Sequence, residues 1–291
     1  MREDGPMAAI SVPPTGGIWV VLRQWRFDPF TVMFVLLAGS LYAMGLIRLR
    51  RSGRAFLRGA PLAFYAGLGT IVLALNSPVD AYADASFSVH MAQHLILTLA
   101  APPLLALGAP ITLALRAAST SSARRIAGVL RGRVASFLGH PVVGWVSFVG
   151  VSYAVHLSPL FDASLRSNAV HAFEHGLWLA SALIYWWPIV GRDPTPHPVA
   201  YPVRLLSLFL TMPAMSFLAA AIFTARAPLY PTYASLPPPW GPMAFASQQD
   251  AAVMMWLVGN AVSMVAMLIL AAAWKRSDDE RQRRLEAREG A

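Results

Sequence analysis

Long apolar runs separated by short polar segments dominate the chain from residue 28 to residue 274. A helix needs about 20 apolar residues to cross a bilayer whose hydrocarbon core is roughly 30 Å thick. About seven windows meet this requirement. They are Phe30–Ile47, Ala60–Asn76, Phe87–Leu107, Pro141–Leu157, Val170–Val190, Val203–Thr224 and Gln249–Trp274. The pattern therefore predicts an all-α integral membrane protein, a bundle of seven transmembrane helices.

Prolines interrupt two of these windows. Pro102 and Pro103 lie in the third window and Pro213 lies in the sixth. A proline removes one backbone donor, but transmembrane helices tolerate the loss where neighbouring groups satisfy the freed carbonyl. We expect these prolines to kink the helices rather than end them.

The boundaries of the apolar region divide the chain into three parts. Residues 1–27 are predicted to be an extracytoplasmic segment, residues 28–274 the transmembrane domain, and residues 275–291 a charged cytoplasmic tail. Residues Met1–Pro14 lack a basic region followed by an apolar one, so no cleaved signal peptide is expected.

Composition supports the membrane assignment and excludes some kinds of site. The chain is 56% hydrophobic and 13% charged, with a mean hydropathy of +0.53, which is outside the usual range of soluble domains. It contains no cysteine. Disulfides, thiolate zinc sites and iron–sulfur clusters are therefore excluded.

The formal charge of +9 comes almost entirely from arginine, and its placement predicts the orientation. Basic residues concentrate between the first and second windows, between the third and fourth, and after the seventh. They are Arg48, Arg50, Arg51, Arg54, Arg58, Arg116, Arg124, Arg125, Arg131, Arg133, Lys275, Arg276, Arg281, Arg283, Arg284 and Arg288. The positive-inside rule then places the N-terminus outside and the C-terminus in the cytoplasm.

The same placement argues against nucleic-acid binding and favours contact with membrane lipids. The basic residues lie close to membrane ends and lack interleaved aromatic residues on which bases stack. The stretch from Arg116 to Arg133 alternates arginine with apolar residues. It is predicted to lie as an amphipathic helix on the anionic inner leaflet.

Five of the seven histidines fall at window ends that this orientation assigns to the outer face. They are His90 and His94 at the start of the third window, His156 at the end of the fourth, and His171 and His175 at the start of the fifth. The other two, His140 and His197, are expected to be surface residues of cytoplasmic loops.

The two outer pairs have the spacing of a metal chelate. In both His90–His94 and His171–His175 the residues are four apart, so each pair projects from one helix face with Cβ atoms about 5–6 Å apart. Imidazole is a good ligand for copper and zinc. The positive helix N-termini also disfavour imidazolium and keep the rings neutral. These four residues are the principal metal candidates. A lone histidine in a span can instead simply hydrogen-bond a neighbouring helix.

Further residues are candidate ligands or supporting groups. His156 is a fifth imidazole candidate, Met91 lies between the first histidines, and the methionines near the sixth and seventh windows have soft sulfur atoms that suit copper. Those methionines are Met212, Met215, Met254 and Met255. Methionine also fills core gaps without binding anything.

Carboxylates near the outer face could orient an imidazole by accepting its second N–H. Asp80 and Asp84 precede the third window, Glu174 lies inside the second histidine pair, and Asp250 opens the seventh window. Helix capping or solvation in a loop is an alternative role for Asp80 and Asp84.

Several short motifs carry a resemblance to a known family. They are Ser77-Pro78-Val79-Asp80, Ser88-Val89-His90-Met91-Ala92-Gln93-His94, Ala101-Pro102-Pro103-Leu104-Leu105, Gly108-Ala109-Pro110, His171 with Glu174-His175, Trp186-Trp187-Pro188, Gly191-Arg192-Asp193-Pro194 and Leu229-Tyr230-Pro231. With them the chain resembles the multi-span CtaG family of cytochrome c oxidase assembly factors from about residue 59 to 274. In one departure, the acidic residue that usually precedes a Gln-Gln pair is absent before Gln248-Gln249, and Asp250 follows instead.

The resemblance implies a multi-pass protein of the bacterial plasma membrane that helps to build a haem–copper oxidase. Copper would be its metal, with zinc as the alternative, and oxidase subunits would be its partners. By the same carry-over His90, His94, His171 and His175 are the metal candidates. The expected role is binding and assembly rather than catalysis.

Two other functions compete with this one. The run from His171 to His175 matches the H-x-x-E-H pattern of some zinc peptidases, in which Glu174 would activate water. Four imidazoles would, however, fill a tetrahedral zinc and leave no open position. A haem or quinol redox protein is the third possibility, but haem takes one axial histidine from each of two facing helices, unlike these paired rings.

Overall fold

The computed structural model describes residues 13–14 and 16–289, and all its regular elements there are helices. Part of the predicted N-terminal segment and of the region searched for a signal peptide, together with residues 290–291, lies outside the described residues. The helices are α1 Ile18–Leu22, α2 Pro29–Arg51, α3 Ala60–Asn76, α4 Pro78–Ala83, α5 Phe87–Leu95, α6 Ala101–Leu107, α7 Pro110–Ala117, α8 Thr120–Leu130, α9 Arg133–Leu138, α10 Pro141–His156, α11 Leu160–Ser164, α12 Asn168–Val190, α13 Tyr201–Phe223, α14 Pro231–Ala234 and α15 Ala244–Glu289. A π-helical turn, Ile96–Ala100, joins α5 to α6, and a 3₁₀ turn, Gly241–Met243, precedes α15.

Each apolar window falls largely on helix, and five helical segments are long and apolar enough to cross a membrane. They are Pro29–Arg51, Ala60–Ala83, Phe87–Ala117, Tyr201–Phe223 and Gly241–Ala287. The remaining two windows form α10 and α12. Helix α10 has only 16 residues, and α12 carries Glu174 and His175 among its apolar residues. The all-helical class is thus confirmed, with five clear candidate spans.

Local sequence sets where several of these helices begin and end. The side chain of Asp28 accepts hydrogen bonds from the backbone N–H groups of Phe30 (3.3 Å) and Thr31 (2.8 Å), which caps α2. Three arginines in the last turn of α2 complement the negative end of its dipole. Gly191 ends α12 with a φ of 62°, a left-handed conformation that glycine adopts without strain.

Helices α5 and α6 and their π turn form the centre of the bundle. This segment contacts α3, α12 and α15, while α10 and α13 complete the wall between α12 and α15, and α2 packs outside against α3 and α7. At Gly144 the backbones of α10 and α12 approach closely, because a Cβ there would lie 2.9 Å from the carbonyl oxygen of Ile184. Small residues permit such approaches between membrane helices.

Polar side chains are buried inside the bundle beside its apolar core, and apolar side chains cover much of its surface, as expected where lipid is the solvent. Large apolar side chains on the outer helices are widely exposed, including Phe30, Leu62, Phe217 and Leu268. Histidine, glutamine, serine and glutamate side chains are instead buried between the helices. Polar groups in a span usually face the bundle interior and serve function.

The prolines of the central helix leave it unbroken, as predicted. Pro102 has no N–H to give to the carbonyl oxygen of Thr98, four residues earlier, and this oxygen instead accepts a hydrogen bond of 2.9 Å from Trp186 Nε1 on α12. The π turn begins at Ile96, two residues after His94. Such turns are frequent at functional sites. Helix α13 likewise continues through Pro213.

Just after the C-terminal end of α12, the Gly-Arg-Asp-Pro motif forms hydrogen bonds with the residues on either side of the Gly-Ala-Pro motif. The Asp193 carboxylate accepts hydrogen bonds from the backbone N–H groups of Ile111 (3.1 Å) and Thr112 (2.7 Å) at the start of α7. Burial raises the pKa of this carboxyl, and its hydrogen bonds oppose that shift. Arg192 donates to the carbonyl oxygen of Leu107 at 3.1 Å. The Gly-Arg-Asp-Pro motif thus caps α7, which begins at the proline of the Gly-Ala-Pro motif.

The basic stretch from residue 116 to 133 contains one longer helix, α8, which buries none of its residues. Val129 is widely exposed on it. Placement of this helix on the inner leaflet stays a prediction.

Candidate metal centre

Five histidines and one glutamate from α5, α10 and α12 converge between the helices. His90, His94, His156 and Glu174 are buried, and His171 and His175 are partly buried. The distances between ring centroids are 4.2 Å for His171–His175, 4.5 Å for His90–His94, 5.1 Å for His90–His171, 6.0 Å for His94–His175 and 6.3 Å for His94–His156. We call His90, His94, His156, His171, Glu174 and His175 the histidine cluster.

Two overlapping sets within the cluster have metal-ligand spacing. Within each set the candidate ligand atoms lie within 4.8 Å of each other. One set is His90, His171 and His175, and the other is His90, His94 and Glu174. The Nε2 atoms of His90 and His94 are 3.0 Å apart. Two nitrogens that each lie about 2.0–2.1 Å from one ion are separated by about 3 Å or slightly more, so this distance fits a shared metal.

The position of the proton on His90 follows from its partner. The Tyr233 hydroxyl donates its single proton to the carbonyl oxygen of Ala83 at 2.7 Å. It lies 2.9 Å from His90 Nδ1 and must therefore accept the Nδ1 proton. His90 Nε2 consequently carries a lone pair, and it faces the cluster. A partner on the other ring nitrogen is how proteins orient a metal-ligating histidine.

His156 has the same arrangement. Its Nδ1 lies 2.8 Å from the carbonyl oxygen of Ser152, which can only accept, so Nδ1 carries the proton and Nε2 the lone pair. This Nε2 is buried and has no hydrogen-bond partner. The Nε2 atoms of His171 and His175 are also buried without partners. Unpaired buried polar atoms destabilise a fold, whereas lone pairs directed at an ion do not, so the donor set fits a metal.

Glu174 lies at the inner side of the cluster. Its Oε1 is 3.5 Å from His94 Nε2 and accepts a hydrogen bond of 3.4 Å from Trp178 Nε1. Its Oε2 has no hydrogen-bond partner. Among the predicted carboxylates, Glu174 is the one that comes within ligand distance of the imidazoles.

A cleft of about 560 Å³ leads to the partly buried side of the cluster, where His171 and His175 form part of its wall. Asp80 and Asp84 line the same cleft and pair with Arg26, at 3.9 Å and 2.5 Å respectively. Asp80 also accepts a hydrogen bond of 2.8 Å from Gln93. In the described part of the chain these two aspartates contact arginine and glutamine rather than an imidazole, so they line the approach to the cluster.

The remaining sequence candidates divide into two groups. Met91 and Met255 are buried and line a small cavity on the far side of His94. Asp250 is exposed on α15 and is not among the side chains that converge on the histidines. Its neighbour Gln248 is buried and accepts a hydrogen bond of 2.7 Å from the backbone N–H of Leu229. The Gln-Gln segment thus anchors the loop that carries Tyr233.

Sequence reasoning did not select three residues that the structure places at the site. Tyr233 and Trp178 hydrogen-bond cluster residues, and Arg26 pairs with the cleft aspartates. Tyr233 follows the Leu229-Tyr230-Pro231 motif by two residues, which was a usable signal. Trp178 lies one helical turn after Glu174, so spacing could have indicated it. Arg26 lies 58 residues before Asp84 and still fewer before Asp80, and no local pattern links them.

Comparisons with known proteins match the chain to one family and to several relatives. A family model for the cytochrome c oxidase caa3 assembly factor matches residues 40–277. An uncharacterized protein of Mycobacterium bovis is 35% identical over 285 residues, 95% of this chain and 42% of the relative. An uncharacterized protein of Mycobacterium leprae is 34% identical over 262 residues, 87% of this chain and 40% of the relative. The chain thus spans about two fifths of these curated relatives. No solved structure matches it.

Proposed function

The chain belongs to the family of cytochrome c oxidase caa3 assembly factors, and from that premise we propose that it binds copper at the histidine cluster and delivers it to a haem–copper oxidase. Convergence of unpartnered imidazole nitrogens from three helices carries this proposal. Imidazole is a strong ligand for copper, and such an oxidase contains copper that must be supplied. The copper is cargo, and the cluster is its carrier site.

The cleft supports a site that exchanges its ion with solution. A purely structural metal is normally enclosed by its ligands. Here His171 and His175 remain partly exposed to a cleft lined by three carboxylates and one guanidinium, those of Asp28, Asp80, Asp84 and Arg26. Negative charge at an entrance raises the local concentration of cations. Ion transfer to an oxidase subunit would take place through this opening.

We further propose that all seven windows span the plasma membrane of a bacterium, with the N-terminus outside. The distribution of basic residues supports this orientation, and it puts the histidine cluster near the outer surface. An ion arriving from outside would then reach the site without crossing the bilayer. Helices α10 and α12 become spans in this arrangement, although α10 is short.

Labelling of introduced cysteines tests the orientation, since the chain has none of its own. A membrane-impermeant thiol reagent applied to whole cells should label Ser235→Cys, which lies next to α14, but not Ser121→Cys, which lies on α8. Both positions are exposed. The reverse pattern, or labelling of both, would contradict the proposed topology.

The zinc-hydrolase alternative makes a different demand on Glu174. A water-activating glutamate requires its carboxylate charge, whereas the imidazoles carry most of the copper affinity in our proposal. Glu174→Gln should therefore retain most copper binding. A bound zinc with hydrolytic activity that this change abolishes would favour the hydrolase. A Soret absorption band in the purified protein would favour the haem protein instead.

The function is tested in cells that lack the gene. Complementation with the wild-type chain should restore the copper content and activity of the oxidase, and His90→Ala with His94→Ala should not. His140→Ala with His197→Ala is the matched control, because both histidines are exposed and lie outside the cluster. Full restoration by the cluster variant would contradict the proposal.

A further inference from the structure

A second, smaller cavity lies beside the histidine cluster and is distinct from the entry cleft. It has a volume of about 40 Å³ and is formed by residues of α5, α10, α12, α13 and α15 and the π turn. Four methionines contribute to its wall, namely Met91, Met212, Met215 and Met255. We call this space the methionine pocket. It has room for one ion or a few waters, since a single water needs about 10–15 Å³ by this measure.

Two histidines of the cluster also line the methionine pocket. One is His156, 4% exposed, whose Nε2 carries a lone pair and has no hydrogen-bond partner. The other is His94, whose Nε2 faces His90 and whose Nδ1 is likewise buried without a partner. His94 thus contributes to the walls of both sites. An apolar cavity with no ligand role would not account for an unpaired imidazole nitrogen.

Thioether sulfur is a soft, neutral ligand that selects monovalent copper over zinc and over the harder divalent ions. An imidazole with several thioethers leaves the ion's positive charge uncompensated. A monovalent ion is therefore far less costly to hold in such a low-dielectric pocket than a divalent one. The histidine cluster, with several imidazoles and Glu174, is better suited to divalent copper or zinc.

We propose that the methionine pocket is a second metal site, specific for monovalent copper, with His156 as its nitrogen ligand and the pocket methionines as its sulfur ligands. The proposal adds a site to the function inferred above, and its failure can be distinguished from failure of that function. His94 lies between the two sites, and no change of oxidation state is required at either.

X-ray absorption spectroscopy distinguishes the two sites, because sulfur and nitrogen neighbours scatter differently and lie at different distances from copper. The detergent-purified full chain is loaded with monovalent copper under reducing conditions and freed of excess metal. We expect a sulfur shell in the wild-type spectrum. Met212→Leu with Met255→Leu should weaken this shell and lower the copper content by up to about one ion per chain, since leucine conserves volume but offers no ligand.

Met254→Leu is the matched control, because Met254 adjoins Met255 on α15 but does not line the pocket. It should keep the sulfur shell, as should His90→Ala with His171→Ala, which removes ligands of the cluster alone. A wild-type spectrum with nitrogen neighbours only, unchanged in the methionine variant, would overturn this inference and leave copper at the histidine cluster standing. Failure of the wild type to retain copper in either form, monovalent here or divalent when loaded without reductant, would overturn both.

Discussion

Tyr233→Phe isolates the contribution of one hydroxyl group to the histidine cluster. The hydroxyl accepts from His90 Nδ1 at 2.9 Å and donates to the carbonyl oxygen of Ala83 at 2.7 Å. Removing it leaves a buried donor and a buried acceptor without partners. Each such group destabilises a protein by about 1–3 kcal/mol, so the two together predict a loss of about 2–6 kcal/mol.

The effect of Tyr233→Phe on metal affinity is a separate quantity. Without its partner, His90 is free to rotate or to place its proton on Nε2, the nitrogen that faces the other imidazoles. Loss of such a hydrogen-bond partner typically weakens metal binding 10- to 100-fold. That range corresponds to about 1.4–2.7 kcal/mol. We therefore expect copper affinity to fall by one to two orders of magnitude.

Tyr230→Phe is the control for this experiment. Tyr230 is buried to the same extent as Tyr233, and its hydroxyl donates to the backbone carbonyl of His156 at 3.1 Å. Competition with a chromophoric chelator measures copper affinity, and thermal unfolding in detergent measures stability. We expect both variants to lose stability and only Tyr233→Phe to lose affinity. Equal affinities in Tyr233→Phe and the wild type would refute the assigned tautomer and the role of the hydroxyl.

Three further changes test the packing that positions the site. Asp193→Ala should destabilise the fold by about 1 kcal/mol by removing the cap of α7, whereas Asp193→Asn should retain most stability in thermal unfolding; equal loss in both would refute the cap. Trp186→Phe should cost about 1–3 kcal/mol, because the carbonyl oxygen of Thr98 loses its donor; an unchanged melting temperature would contradict this pairing. Gly144→Val should separate α10 from α12 and reduce copper affinity, whereas Gly150→Val, with open space at its Cβ, should not; equal affinities would show that this approach does not position the cluster.

The helical class and the clustering of the histidines could be predicted from sequence because both depend on local spacing. Apolar windows of membrane length predict helices. Residues four apart share a helix face, which explains why His90 with His94, and His171 with His175, point the same way. The window boundaries indicated that the two pairs lie at the same depth, whereas the packing of α12 against the central segment is what brings the pairs together.

The surroundings of the cluster could not be predicted because they depend on long-range packing. Tyr233 is the partner of His90, and it comes from the loop before α15. Arg26 is the partner of Asp84, and it comes from the segment before α2. Both contacts depend on how these segments fold over the bundle. A role of orienting an imidazole was open for Asp80 and Asp84 from the sequence. In the structure they pair with Arg26, at 3.9 Å and 2.5 Å.

The methionines show the same limit. Their soft sulfur atoms suggested copper ligands, but helical periodicity could not show which of the adjacent residues Met254 and Met255 faces a site. Packing of α13 against α15 directs Met255 into the pocket and leaves Met254 outside it. The distinction depends on helix rotation, which a uniformly apolar span does not encode.

Copper binding by the purified full chain tests the central claim most directly. Metal content and affinity are measured for the wild type, for the double variant His90→Ala and His94→Ala, and for the exposed pair His140→Ala and His197→Ala. We predict that the wild type and the exposed-pair variant retain divalent copper with nitrogen ligands, and that the cluster variant loses it. Equal copper retention in all three proteins, or none in the wild type, would contradict the account.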